Sequence, residues 1–215
     1  MDYYHISAED LGKDARVPLV CAGDSAEVFF DLALEMVSTI REHNARGEKT
    51  VFICPVGPVG HYPYFVKMVN DQRISLKDCW FINMDEYLDD NDEWIDADNP
   101  LSFRGFMARN VYDKIDPELV MPEEQRVFPD PHDPANVGRV IDSLGGVDIA
   151  FGGIGITGHL AFNEPQPELT CEEFAALETR ALDIHPETRA TNSVGDLGGA
   201  LEDMPHRCVT IGMRE

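Results

Sequence analysis

The sequence predicts an α/β protein, a mostly parallel sheet flanked by helices on both faces. Three observations carry this. Short, apolar, partly β-branched runs at residues 50–54, 78–83 and 147–151 read as strands buried on both sides. Segments with apolar residues at helical spacing alternate with them. Each run opens directly into a loop of glycine, proline or acidic residues, at the strand end where open α/β sheets hold their ligands.

In chain order, residues 1–16 are polar and read as an irregular lead-in, and residues 17–21 as a short strand. Asp24 or Ser25 caps a helix over residues 26–44, whose Val28, Phe29, Leu32, Leu34, Met36, Val37 and Ile40 recur at helical spacing. Gly47 stops it. The strand 50–54 opens into Pro55-Val-Gly-Pro-Val-Gly-His61, and a helix follows over about residues 62–70. Strand, glycine loop, helix is the arrangement that presents backbone N–H groups to a phosphate. It equally fits a plain turn. The strand 78–83 ends at Met84-Asp-Glu-Tyr87, then a solvated acidic run through Asp98. A helix is expected over residues 100–115, prolines and acids keep 117–134 irregular, and a short helix covers 135–144. Beyond the central strand, residues 166–177 have room for a short helix. Residues 178–184 alternate like a strand, 208–212 read as another, and 213–215 as the start of a helix.

The stretch Phe151-Gly-Gly-Ile-Gly-Ile-Thr-Gly-His-Leu-Ala-Phe-Asn-Glu-Pro165 organises the chain. Its glycines allow a ligand to lie against the main chain. His159 can move a proton near neutral pH, and Glu164, five residues on, can hold the ring in one tautomer. Asp85 adjoins another strand end and so faces the same edge. Gly153 to Gly158 matches part of a dinucleotide fingerprint. His159 and Pro165 follow it in place of an apolar helix, which sets a nucleotide cofactor aside.

Composition narrows the partners. The 215 residues carry 40 acidic and 17 basic side chains, a formal net charge of −23. Phosphate backbones attract Lys and Arg, so nucleic acid and anionic membranes are excluded as partners. The five cysteines, Cys21, Cys54, Cys79, Cys171 and Cys208, are odd in number, widely spaced and without a Cys-x-x-Cys pair. They indicate a reducing cytoplasm rather than disulfides or a zinc site. No signal peptide or membrane-spanning run is visible.

Three strings in order, Phe81-Ile-Asn-Met-Asp-Glu-Tyr87, the glycine-rich stretch, and His185-Pro-Glu-Thr-Arg-Ala-Thr-Asn-Ser193, resemble the glucosamine-6-phosphate deaminase (isomerase) family. The resemblance spans roughly residues 17–214. It implies the Rossmann-like sheet of the deaminase/phosphogluconolactonase superfamily. The reaction it implies is aldose–ketose isomerisation coupled to deamination, turning glucosamine 6-phosphate into fructose 6-phosphate and ammonia in amino-sugar catabolism. It assigns Asp85 as the base at C2, His159 as the ring-opening acid–base group, and Glu164 as the residue that positions it. Gly57, Gly60, His61 and Arg189 would bind the substrate phosphate, with Arg189 on a mobile lid. No metal or organic cofactor is needed, since proton transfers suffice. The partner is a small aminosugar phosphate, with a homo-oligomer as the assembly.

Two departures stand out. Thr157 occupies a position where the family has Asp or Asn, and threonine cannot act as a base near neutrality. The loop 55–61 lacks the family's hydroxyl donors, and Pro58 removes a backbone donor. Family members continue through a further βα segment that supplies a phosphate-binding Lys. Residues 1–215 therefore read as one α/β isomerase-like domain lacking that segment. Alternatives are a 6-phosphogluconolactonase-like hydrolase, a deaminase for galactosamine 6-phosphate, and a non-catalytic sugar-phosphate-binding homologue.

Overall fold

A computed structural model describes residues 5–7, 9–10, 12–13 and 15–215. Part of the predicted lead-in 1–16 thus lies outside the described residues. The elements are α1 (Ser25–Arg46), β1 (Thr50–Cys54), α2 (Tyr62–Asp71), β2 (Cys79–Asn83), β3 (Asp85–Leu88), α3 (Phe103–Asn110), β4 (Arg126–Val127), α4 (Ala135–Leu144), β5 (Ile149–Ala150), α5 (Cys171–Ala175), β6 (Arg180–Asp183), α6 (Pro186–Leu197) and β7 (Arg207–Thr210). Single 3-10 turns lie at Tyr112–Lys114, Glu123–Gln125 and Leu201–Asp203.

The central sheet is parallel, in the order β4-β2-β1-β5. Alternate residues of β1 face opposite layers, as strand geometry requires. Phe52 and Cys54 join Met36, Ile40, Phe65 and Phe81 beneath α1 and α2. Val51 and Ile53 join Ile82, Val137 and Ile141 beneath α4. Helices therefore cover both faces, which is why the strands read as unbroken apolar runs. The side chain of Asp24 caps α1 by accepting from the Glu27 N–H at 2.9 Å, and Gly47 ends the helix at φ 68°.

A second sheet departs from the expected layout. β3, β7 and β6 pair antiparallel in the order β3-β7-β6. The acidic stretch after β2 turns at Met84 and runs on as β3, with Asp85 opposite Thr210. A third apolar cluster, including Tyr87, Phe162, Ile184 and Cys208, lies at this second sheet. Residues 17–21 form no strand, and Val17 and Val20 are exposed. Residues 213–215 begin no helix. The expected helix 100–115 is shorter, because Ser102 caps it and Val111 leaves helical geometry. α6 was not expected at all. Its signals are Pro186 at the first turn, His185 accepting from the Glu187 N–H, and Gly198 at φ 60° after the last turn.

Among the described residues, no helix is long and apolar enough to cross a membrane.

Candidate active site

Strands β2, β1 and β5 lie side by side and end at one edge. β1 leads onward to β2 on one side and pairs with β5 on the other, so a crevice forms between their loops. A cavity of about 760 Å³ occupies that edge. The loop after β1 contributes Gly57 and Pro58, the β2–β3 junction Asp85, and the glycine-rich loop Gly155, His159 and Phe162. α6 closes it with Asn192 and Asp196.

His159 owes its place to glycines. A Cβ on Gly155 would lie 2.0 Å from His159 Nε2, so only glycine admits the ring. Gly158, at φ 88°, reverses the chain so that its N–H donates to the Gly155 carbonyl at 2.9 Å. The loop is anchored from behind. Asn163 donates to the Ile211 carbonyl at 2.9 Å and accepts from Arg180 Nη1 at 2.9 Å. The Phe162 N–H donates to Thr210 Oγ1 at 3.2 Å.

Three side chains converge on His159 Nδ1. Glu164 Oε1 lies 3.0 Å away, Thr157 Oγ1 2.9 Å and Thr188 Oγ1 3.3 Å. Both hydroxyls donate to the Glu164 carboxylate, Thr188 at 2.5 Å. Burial works against charge on Glu164. The hydrogen bonds from Thr157 and Thr188, and then the adjacent imidazole of His159, outweigh it and hold the carboxyl below its ordinary range. An ionised Glu164 accepts a hydrogen bond from Nδ1–H and leaves Nε2 as the nitrogen free to exchange a proton. Thr157 thus bridges the imidazole and the carboxylate.

Asp85 is the opposite case. It is 7% exposed, and its carboxylate receives no hydrogen bond from a described residue. Burial, with a smaller push from Glu86, raises its pKa from 3.8 to about 8. The neighbouring Glu86 is fully buried for a structural reason. It accepts from Ser102 Oγ at 2.8 Å and from the N–H groups of Phe103 and Arg104 at 3.0 and 2.9 Å. Its charge thereby satisfies the first turn of α3.

Not all expected site residues meet here. Asp85, His159 and Gly57 border the cavity; Thr157 and Glu164 stand behind His159. Gly60 does not border it, because a Cβ there would run into the Phe29 ring, so its glycine serves helix packing. His61 does not either. It is 1% exposed against Tyr62, with ring centroids 4.0 Å apart, and burial lowers its pKa to about 4. Arg189 lies outside the cavity, at a separate depression with Glu202, Asp203 and His206. Its guanidinium donates to the carbonyls of Pro205 at 2.9 Å, Met204 at 2.7 Å and Leu201 at 3.2 Å. Those bonds bind the 201–206 turn to α6 instead of a ligand in the cavity.

Three residues not singled out as site candidates from the sequence stand out on α6. Thr188, Asn192 and Asp196 recur every fourth position and so share one helix face. Thr188 reaches Glu164, Asn192 Nδ2 donates to Tyr87 Oη at 3.0 Å, and Asp196 borders the cavity. Their spacing was visible, but it means something only once a helix is placed there.

The fold has known counterparts. A solved monomeric glucosamine-6-phosphate deaminase of the NagB superfamily superposes with a TM-score of 0.74 at 21% identity, over 90% of this chain and 75% of that one. A 6-phosphogluconolactonase from Trypanosoma cruzi gives 0.58 at 15% identity, over 90% and 73%. No family model matches. Curated relatives carry the closer likeness. The glucosamine-6-phosphate deaminase of Hahella chejuensis is 31% identical over 160 residues, and that of Caenorhabditis elegans 30% identical over 183.

This chain is similar to the glucosamine-6-phosphate deaminases over most of its own length. The two alignments cover 73% and 83% of it, and it spans 55% and 64% of those relatives' own lengths. Among the described residues bordering the cavity there is no Lys or Arg. No group of three or more His, Cys, Asp or Glu side chains among the described residues is arranged to hold a metal ion.

Proposed function

We propose that this chain carries the aldose–ketose isomerisation and deamination of glucosamine 6-phosphate to fructose 6-phosphate and ammonia. One observation supports it above others. An unpartnered buried carboxylate, Asp85, and a carboxylate-oriented imidazole, His159, border the same cavity from different strand ends. Isomerisation needs two such proton-handling groups. His159 Nε2 exchanges the proton that opens the sugar ring, with its Nδ1 side held by Glu164, Thr157 and Thr188. Asp85 takes the C2 proton and returns it to C1. The C2 imine so formed takes up water, and ammonia leaves. A base poised near 8 is well matched to this transfer, since efficiency peaks when the catalytic pKa lies near the working pH.

Gly57 is the member of the expected phosphate set that borders the cavity. The reading therefore assigns it the phosphate end, and gives Gly60, His61 and Arg189 structural work in the form described. Free thiols at all five cysteines support placing the reaction in a reducing cytoplasm.

An ammonia-release assay on the complete protein tests the proposal. Product from glucosamine 6-phosphate supports it, and none from a well-folded protein refutes it. Thr157 and the lack of a cation beside the cavity favour a second reading, a sugar-phosphate binder without turnover. Saturable binding with no ammonia released would select that reading.

A further inference from the structure

Asp85 and Tyr87 alternate by two along β3 and so project from the same strand face. Asn192 and Asp196 lie one turn apart on α6. The bond from Asn192 Nδ2 to Tyr87 Oη, 3.0 Å, pins these two faces together. All four residues border the cavity. Burial raises the pKa of the Tyr87 phenol, and the carboxyl groups of Asp85 and Asp196 add smaller pushes in the same direction.

The two acids face a cavity that has no cation of its own among the described residues. Asp85 is buried without a hydrogen-bond partner, and Asp196, exposed to solvent beside the same cavity, has no side-chain hydrogen bond among the described residues. A positively charged ligand group between these two acids favours the ionised form of both. We infer that Asp196 is a specificity residue that pairs with the ammonium on the substrate's C2, across the cavity from Asp85. The inference rests on the reading above, because Asp85 works at the carbon bearing that amine. It adds a link between recognition and chemistry. An ammonium held by Asp196 next to Asp85 favours the ionised form of Asp85, so the amine activates its own base. A sugar phosphate with a hydroxyl at C2 meets two uncompensated acids.

The test compares two reduced, open-chain ligands by titration calorimetry. One is the 2-amino-hexitol 6-phosphate and the other the hexitol 6-phosphate with a hydroxyl at C2. The wild-type protein should prefer the amine. D196N should weaken amine binding about tenfold, the equivalent of ~1.4 kcal/mol, and leave the hydroxyl ligand unchanged or tighter. D196E should restore part of the preference. The inference is overturned when D196N, its melting curve unchanged, keeps the full amine preference, or loses affinity equally for both ligands. Binding of neither ligand to wild type defeats the sugar-phosphate reading and this inference together. Binding of both with no amine preference defeats only the inference.

Discussion

Replacing Asp85 by asparagine should remove the loss of stability that this residue imposes between about pH 4 and 8. In the fold, burial holds this carboxyl up at about 8, against 3.8 in the ordinary state. The folded protein therefore keeps a proton that the unfolded chain has already released. Stability is fully present below the unfolded value and is lost as pH rises towards the folded one. At ~1.4 kcal/mol per pH unit, the ceiling on this loss is roughly 6 kcal/mol. Water in the open cavity and relaxation around the ionised group reduce it, and we expect at least ~2 kcal/mol to remain. Asparagine is neutral throughout, so D85N should melt about 4–8 °C above wild type at pH 8 and close to it at pH 4.5. Thermal melts of both proteins across that range measure the difference directly. Parallel curves for wild type and D85N would show that Asp85 ionises normally and that its burial has been misjudged. The same variant should bind substrate yet fail to isomerise it, and an unchanged rate would identify another base.

Gly155→Ala should leave the fold intact while displacing His159, costing at least ~10²-fold in turnover; near-normal activity would show that the ring is not fixed by that contact. Thr188→Val removes a hydroxyl that donates to Glu164, so the Glu164 pKa should rise and the acid limb of the rate profile move to higher pH. A profile identical to wild type would exclude Thr188 from the network. His61→Phe should be neutral or stabilising by about 1 kcal/mol, because both ring nitrogens are buried without a partner among the described residues. Loss of phosphate affinity in that variant would restore His61 as a ligand. Phe81→Ala, deep beneath α2, should lower stability by about 3–5 kcal/mol in a denaturant titration.

Much of this molecule follows from local sequence. The strands β1 and β2 are written as apolar runs because each is covered on both faces, and α1 as a periodic stripe because only one of its faces is. Asp24 and Gly47 mark the ends of α1, since helix termini must satisfy their own backbone groups. The clustering of glycine, His159 and Glu164 just after a strand was enough to mark the sheet edge where the cavity lies, because parallel strands end together. That Asp85 borders the same cavity was legible for the same reason.

Other features depend on partners distant in the chain. Residues 84–87 read as the loop that ends the strand 78–83, and residues 85–88 become a strand only because β7 supplies hydrogen bonds from more than a hundred residues away. Gly60 and His61 sit in a loop of the right form for a phosphate, but Phe29 and Tyr62 pack them into the interior. Arg189 carries the right fork for an anion, and the carbonyls of the 201–206 turn occupy it. The sequence by itself indicated the core strands β1 and β2, the helix α1 and the strand ends that border the cavity, because those are properties of short windows. Tertiary structure decided which side chains meet, and with what protonation, because burial and hydrogen-bond partners come from elements that the chain brings together only on folding.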